Sequence, residues 1–346
     1  MSVDRLRGEI AWLSAKLQRR RRQDDLTALD LRAQIAERLA ELRDPGAEAW
    51  LRALVADQTR VFGARHHATL ASWFLIAARC SQTGRVDEAL ELFSSVRAAH
   101  AYVRGPDQDA VLHCGYAIAS ALADAGRYAA AIDAYRALES TEFTSDIARI
   151  QIELARFDDA EQTLRAAPPE WAEVVRFLRT TIQAGLGAPG PLIEGMRAQL
   201  AEGTGDPEKT RMWLAYGLLL AGEAEEAAAE ASAVVAARVV HPGPEDRMTW
   251  VARVLLCRAL AETDRLADAE HYARAALASA PLPPGHPDLV RAQEVVARVH
   301  FRRGEWAEAV EAYEYALEGF EVVLGAGHPE TVKSAAALAA ARAAAD

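Results

Sequence analysis

The sequence predicts an all-α protein built as a solenoid, an array of helical hairpins stacked side by side, and three observations carry that expectation. Two separate sequence markers recur with one period of 42 residues. Between the markers, apolar positions recur every three to four residues and the pattern is broken by glycine. Hydrophobic residues make up 51% of the chain and aromatics only 7%. Much of the difference is alanine, a strong helix former that lets helices approach closely.

The first marker is a Gly-His-Pro-acid cassette, "PLPPGHPDLV" at 281–290 and "LGAGHPETV" at 324–332, which sets His286 and His328 42 residues apart. Gly243 stands one period before Gly285, and Gly63 one period before Gly105. The second marker pairs Gly84 with Gly126 and Gly222 with Asp264 at the same spacing. Two independent markers with one period make a repeat array. Each unit of such an array contacts its neighbours, so the 346 residues are expected to form one extended array and not two or three separate cores.

One period reads as a helix, a turn and a second helix. In "LVRAQEVVARVHFRRGEWAEAVEAYEYALEGFEVVL", Val296, Ala297 and His300 suggest an inner stripe, Gly304 breaks the helix, and Ala309, Tyr313 and Ala316 recur at helical spacing. A small residue facing an alanine across the hairpin lets the two backbones come close. The same signature recurs as Ala77–Gly84–Ala89–Phe93, Ala119–Gly126–Tyr128–Ala131–Tyr135, Ala148–Phe157–Ala160–Leu164, Ala215–Gly222–Ala227, Cys257–Ala269 and Ala297–Gly304–Trp306–Ala309–Tyr313. It weakens at 169–203, which keeps the rhythm around Gly185 and Pro189 without the small-residue pair. Ala155 follows Gly126 by only 29 residues, so the unit before this degenerate one is short.

This signature resembles the tetratricopeptide repeat, and the 42-residue period with its "GHPET"-like linkers resembles the kinesin-light-chain type of that family. The resemblance covers residues of about 65–346 and implies a right-handed α-solenoid of about seven hairpins. The domain organisation expected from it is an N-terminal helical cap or docking segment at 1–64 and the solenoid at 65–346, with residues 328–345 as an unpaired capping helix.

Pro287 and Pro329 suit the first turn of a helix, and the acids behind them suit its dipole. The two cassette histidines are therefore expected to hydrogen-bond in the linkers between hairpins. They recur one repeat apart and do not converge, which argues against a metal site. Toward the N-terminus, helices are expected at about 3–22, 26–43 and 46–62 from the apolar spacing. Leu6, Ile10, Leu13 and Leu17 have coiled-coil spacing, and Leu31, Ile35, Leu39 and Leu42 share one face. These helices either cap the solenoid or serve docking or homodimerisation. The run Arg19 to Arg22, before Asp24 and Asp25, reads as a solvated helix end.

The net charge of −11 argues against nucleic acid as a partner, because phosphate binding depends on basic surface. Three of the 39 basic residues are lysines, leaving 36 arginines; the Arg and Ala bias fits a GC-rich, bacterial coding genome. Cys80, Cys114 and Cys257 show no paired spacing and sit in apolar helical stretches, as buried free thiols do. With no apolar leader and no membrane-length apolar run, a soluble cytoplasmic protein is expected.

Dinucleotide, P-loop, zinc-protease and serine-hydrolase motifs are all missing, so no enzyme, cofactor or metal is expected. In the tetratricopeptide family the first helix of each hairpin lines the concave face, and the residue after the small packing residue looks into the groove. Carried over, those positions are Ala78, Ser120, Arg149, Arg179, Tyr216, Arg258 and Arg298, with Arg176 and Trp213 one turn earlier. Arg149, Arg176, Arg179, Trp213, Tyr216, Arg258 and Arg298 form the candidate site. Arginine suits bidentate carboxylate or phosphate recognition, and the aromatic rings supply stacking surface. The groove arginines are expected to be exposed, so that reversing Arg258 and Arg298 to Glu would abolish partner capture without loss of helix. The expected function is a scaffold binding an acidic or carboxylate-bearing protein or peptide. The alternatives are a sensor of a small anionic effector, resembling the repeat halves of bacterial signalling proteins, and a helical enzyme or biosynthetic accessory protein.

Overall fold

The computed structural model describes residues 3–20, 22, 25–42, 44–104, 109–240, 243, 246–263, 265–278, 282 and 285–345. These contain α-helices and short 3-10 turns and no β-strand. The chain forms two compact units, Met1–Asp124 and Ala125–Asp346.

The first unit holds α1 (Val3–Gln18), α2 (Leu26–Glu41), α3 (Ala47–Phe62), α4 (His67–Gln82), α5 (Val86–Arg104) and α6 (Asp109–Asp124). Leu13 and Leu17 of α1 pack against Ala28, Leu31 and Ile35 of α2. The heptad-like seam is therefore consumed inside the first hairpin. Leu51, Leu54 and Val55 of α3 share a core with Ile76, Ala77 and Cys80 of α4, so the N-terminal helices continue the packing of this unit. Of the arginine run, Arg20 pairs with Asp25 at 2.8 Å, and the Asp25 carboxylate caps α2 by accepting the Ala28 N–H. Arg21 and Asp24 lie outside the described residues.

The second unit runs from α7 (Tyr128–Arg136) through α8 (Thr144–Glu153), α9 (Phe157–Leu164), α10 (Ala172–Gly185), α11 (Gly190–Glu202), α12 (Pro207–Ala221), α13 (Ala224–Val240), α14 (Arg247–Glu262), α15 (Leu266–Ala278), α16 (Pro287–Arg303), α17 (Trp306–Val323) and α18 (Pro329–Ala345). Successive helices pack on each other and first helices of neighbouring hairpins touch, as with α12, α14 and α16. That nearest-neighbour pattern is what defines a solenoid.

The small-residue signature marks where helices meet. Ala119, Ala131, Ala148, Ala160, Ala215, Ala227, Cys257, Ala269, Ala297 and Ala309 all have no exposed surface. In the degenerate hairpin Leu178 takes that place and is buried as well. The turn of that hairpin falls between Gly185, the last residue of α10, and Pro189; a Cβ at Gly185 would lie 2.5 Å from Phe157 Cζ, so glycine is required for the close approach of α9. One detail differs from expectation. The inward residues of α16 are Val295, Ala297 and Val299, while Val296 and His300 are half-buried. Three to four residue spacing leaves a choice of adjacent stripes, and the neighbours on both sides of a repeat decide between them.

The histidine cassettes are helix caps. His286 Nδ1 accepts the Asp288 N–H at 3.1 Å and His328 Nδ1 accepts the Glu330 N–H at 3.2 Å, each satisfying an orphan donor at a helix start. His66 caps α4 in the same way through the Ala68 N–H.

Beyond neighbour packing, the start of the second unit meets its end. Tyr128 and Leu154 lie against Val290, Phe320 and Leu324. Arg291 reaches Glu153 at 2.5 Å across 138 residues of sequence. At Gly126, where φ is +74°, a Cβ would fall 2.7 Å from Pro287 Cδ, so only glycine accommodates both the turn and the contact.

Candidate functional site

The hairpin repeat sets Tyr216, Arg258 and Arg298 on equivalent positions of α12, α14 and α16. Each follows a buried small residue, Ala215, Cys257 or Ala297, so each projects from the same side of its helix. Together with Leu220, Phe320 and the start of α18 they line a cleft of about 100 Å³. Glu262, Glu294, Glu330 and Lys333 complete its polar wall.

The cleft is charge-balanced and not the open cationic row expected from the sequence. Arg258 donates to Glu330 at 2.8 Å. Arg298 donates to Glu294 at 2.7 Å and also to Glu262, which faces Lys333 at 3.7 Å. The Arg258 and Arg298 side chains are only 27% and 17% exposed. Reversing them to Glu would set buried acids against Glu262, Glu294 and Glu330, so the expectation that this double change spares the fold is corrected. Removing one partner of a buried pair leaves an uncompensated charge.

Next to the cleft, Arg291 joins three carboxylates: Glu153, Asp288 at 2.7 Å and Glu330 at 2.7 Å. Burial pushes the Glu330 carboxyl upward, but Arg291 and Arg258 outweigh it and hold the group down at about 2. Burial likewise opposes ionisation of Asp288, and Arg291 with His286 reverses the shift, so its pKa is lowered. Glu153 keeps a raised pKa, since burial and the neighbouring acids exceed the pull of Arg291. Burial also raises the Tyr216 phenol, whose hydroxyl is neutral in this wall.

The remaining candidates stand elsewhere in the second unit. Arg149 is largely exposed and faces Asp146 at 3.6 Å. Arg176 pairs with Glu173 on its own helix, and Arg179 holds Glu161 of α9 at 2.7 Å. None of the three lines the cleft. Trp213 sits behind it, edge-on to Tyr216 at 5.9 Å and to Phe177 at 5.1 Å. The structure thus gathers Tyr216, Arg258 and Arg298, with Trp213 as their support.

Sequence reasoning missed the acids and Lys333. Some signal was present: Glu262 lies four residues after Arg258 and Glu294 four before Arg298, the spacing of neighbours on a helix face. Glu330 was read only as a first-turn acid.

In the first unit, Glu48, Cys80 and Glu88 have ligand atoms close enough to hold a metal ion. Arg85 and Arg52 already pair with both carboxylates, and burial pushes the Cys80 thiol up to about 11. Both features disfavour a cation, which needs free carboxylates and a thiolate.

Residues 290–330, which span most of α16, all of α17 and the first two residues of α18, match the tetratricopeptide repeat family. No curated protein matches the chain. Among solved structures, the tetratricopeptide domain of P58(IPK) is 16% identical over 99% of this chain and 94% of its own, with a TM-score of 0.31. A Podosopora anserina putative kinesin light chain with nearly identical repeats is 20% identical over 73% and 94%, at 0.27. A monomeric mutant of IFIT1 with Gppp-AAAA is 13% identical over 92% and 74%, at 0.48. At these scores the likenesses fix neither ligand nor partner.

Proposed function

We propose that the chain is a tetratricopeptide-repeat, protein-binding scaffold whose second unit takes a carboxylate-bearing segment of a partner in the Tyr216–Arg258–Arg298 cleft; the match of residues 290–330 to the repeat family supports it. Stacked repeats present extended surfaces to protein partners. The choice of a carboxylate rests on Arg258 and Arg298, which each already clamp one, Glu330 and Glu294, at the wall of an open cleft. Paired guanidinium–carboxylate contacts are the chemistry this wall is built for. Lys333, at the rim and mostly exposed, adds a cation that steers an acid inward.

Size favours a peptide over a bulky small molecule. Pockets for drug-sized ligands run to roughly 300–1,000 Å³, whereas about 100 Å³ suits an acidic side chain or a terminal carboxylate. Among the described residues no helix is long and apolar enough to cross a membrane. The three cysteines are free and buried, which supports a reducing, cytoplasmic setting.

Fluorescence anisotropy with short labelled peptides tests the proposal. A peptide ending in Asp-Glu as the free acid should bind, the corresponding Asn-Gln peptide amide, which has no carboxylate at that end, should not, and added salt should weaken capture. Lys333→Glu at the rim should weaken it further, while Arg342→Glu on the far end of α18 should leave it unchanged. Equal binding of the acidic and neutral peptides, or of neither, would refute the proposal.

A further inference from the structure

We infer that Glu330 is the chain's own occupant of the carboxylate site, and that a partner's carboxylate reaches Arg258 by displacing the first turn of α18. The inference rests on the function proposed above and adds its regulation. Among the described residues Glu330 is the carboxylate paired with Arg258, and it comes from a helix 72 residues further along the chain. When Glu330 leaves, Arg291 keeps Glu153 and Asp288. Arg258 keeps none of the ion pairs described for it. A half-buried guanidinium without its partner is costly, so an incoming carboxylate replaces Glu330 like for like.

The anchorage of α18 supports such a movement. Its second half is held by apolar packing, with Leu338 and Ala341 set among Ala297, Ala309 and Tyr313. Its first half buries small polar residues, Thr331 and Ser334, where the second buries Leu338 and Ala341. There Val332 is exposed, and the Thr331 and Ser334 hydroxyls are buried without a hydrogen-bond partner among the described residues. What holds that end is polar: Glu330 itself, the contact of His328 Nε2 with the Glu153 carbonyl at 3.1 Å, and Lys333 facing Glu262 at 3.7 Å. Charge–charge and polar contacts yield to a competing ion, whereas the Leu338 end stays seated as the pivot. Lifting Glu330 also enlarges a cleft that is otherwise only about 100 Å³.

The test uses the full chain and the acidic peptide described above. Glu330→Gln removes the internal competitor's charge, and Glu330→Asp keeps the charge but draws it back by one methylene. Both should bind the peptide more tightly, roughly tenfold for the Gln variant, because the competent state no longer competes with a closed one. Peptide added to the wild type should speed hydrogen exchange in the first turn of α18 while protecting α14. If Glu330→Gln does not fold, the Asp variant and the exchange measurement decide. Wild-type binding with equal or weaker binding by the variants, or with α18 protected, would overturn the inference and leave the proposed function standing. Loss of peptide binding in all forms would overturn both.

Discussion

His328 donates its Nε2 proton to the backbone carbonyl of Glu153, 175 residues earlier, while its Nδ1 accepts the Glu330 N–H. A carbonyl only accepts, so the two contacts fix one neutral tautomer. A second proton would sit on Nδ1 and end the cap of α18. Burial lowers the pKa of this histidine below its ordinary 6.5. The stability it contributes is therefore complete above about pH 6.5 and is lost as pH falls through the folded pKa. The raised Glu153 carboxyl works in the opposite direction and favours the folded state as it protonates. Comparing variants isolates the histidine: His328→Asn keeps a capping acceptor that does not titrate. Melting curves between about pH 7.5 and 5.5 should show the wild type losing stability relative to His328→Asn. Parallel pH profiles would exclude the histidine as the titrating group.

Gly126 should tolerate no side chain. Gly126→Ala meets both a left-handed backbone and Pro287 Cδ at 2.7 Å, whereas Gly222→Ala meets the same backbone in open space. The first should cost about 2–3 kcal/mol and the second about 1 kcal/mol. Urea midpoints measure the difference, and equal losses would mean that the Pro287 contact is not made in solution.

Ala155 occupies the turn between α8 and α9 with φ of +53°, where the regular hairpins use glycine. A left-handed alanine is strained by about 1–2 kcal/mol, and glycine recovers part of that after its larger chain entropy. Ala155→Gly should raise the denaturation midpoint by an amount equivalent to roughly 0.5–1 kcal/mol. A fall in the midpoint would contradict this.

Ala309 lies between α16 and α17, fully buried with Ala297, Tyr313 and Leu338 around it. Ala309→Leu should overpack that contact and cost about 1–3 kcal/mol. An unchanged melting temperature would show that the hairpin has slack at this layer.

The hairpins were legible because their determinants are local. A small residue, a turn and a second small residue fall within one repeat, and the small residues of the pair proved buried throughout. Arg258 and Arg298 could be placed on one side of their helices for the same reason. Their partners could not. Glu330 is 72 residues from Arg258, Glu262 is 36 from Arg298 and Glu153 is 138 from Arg291. Ion pairs of that reach depend on how repeats are stacked, which spacing along one helix does not encode. The break near Gly185 was legible for the same local reason, but the close approach of Phe157 that requires glycine there was not.

The Arg291–Glu153 contact also sets how the second unit can evolve. Open repeat arrays lengthen or shorten by duplicating or deleting hairpins, since each unit needs only its neighbours. Here an inserted hairpin would move the two ends apart by two helix diameters, about 16–20 Å, and a salt bridge of 2.5 Å could not span it. A hairpin added or removed between α8 and α16 therefore breaks this contact, whereas substitutions inside the repeats leave it intact.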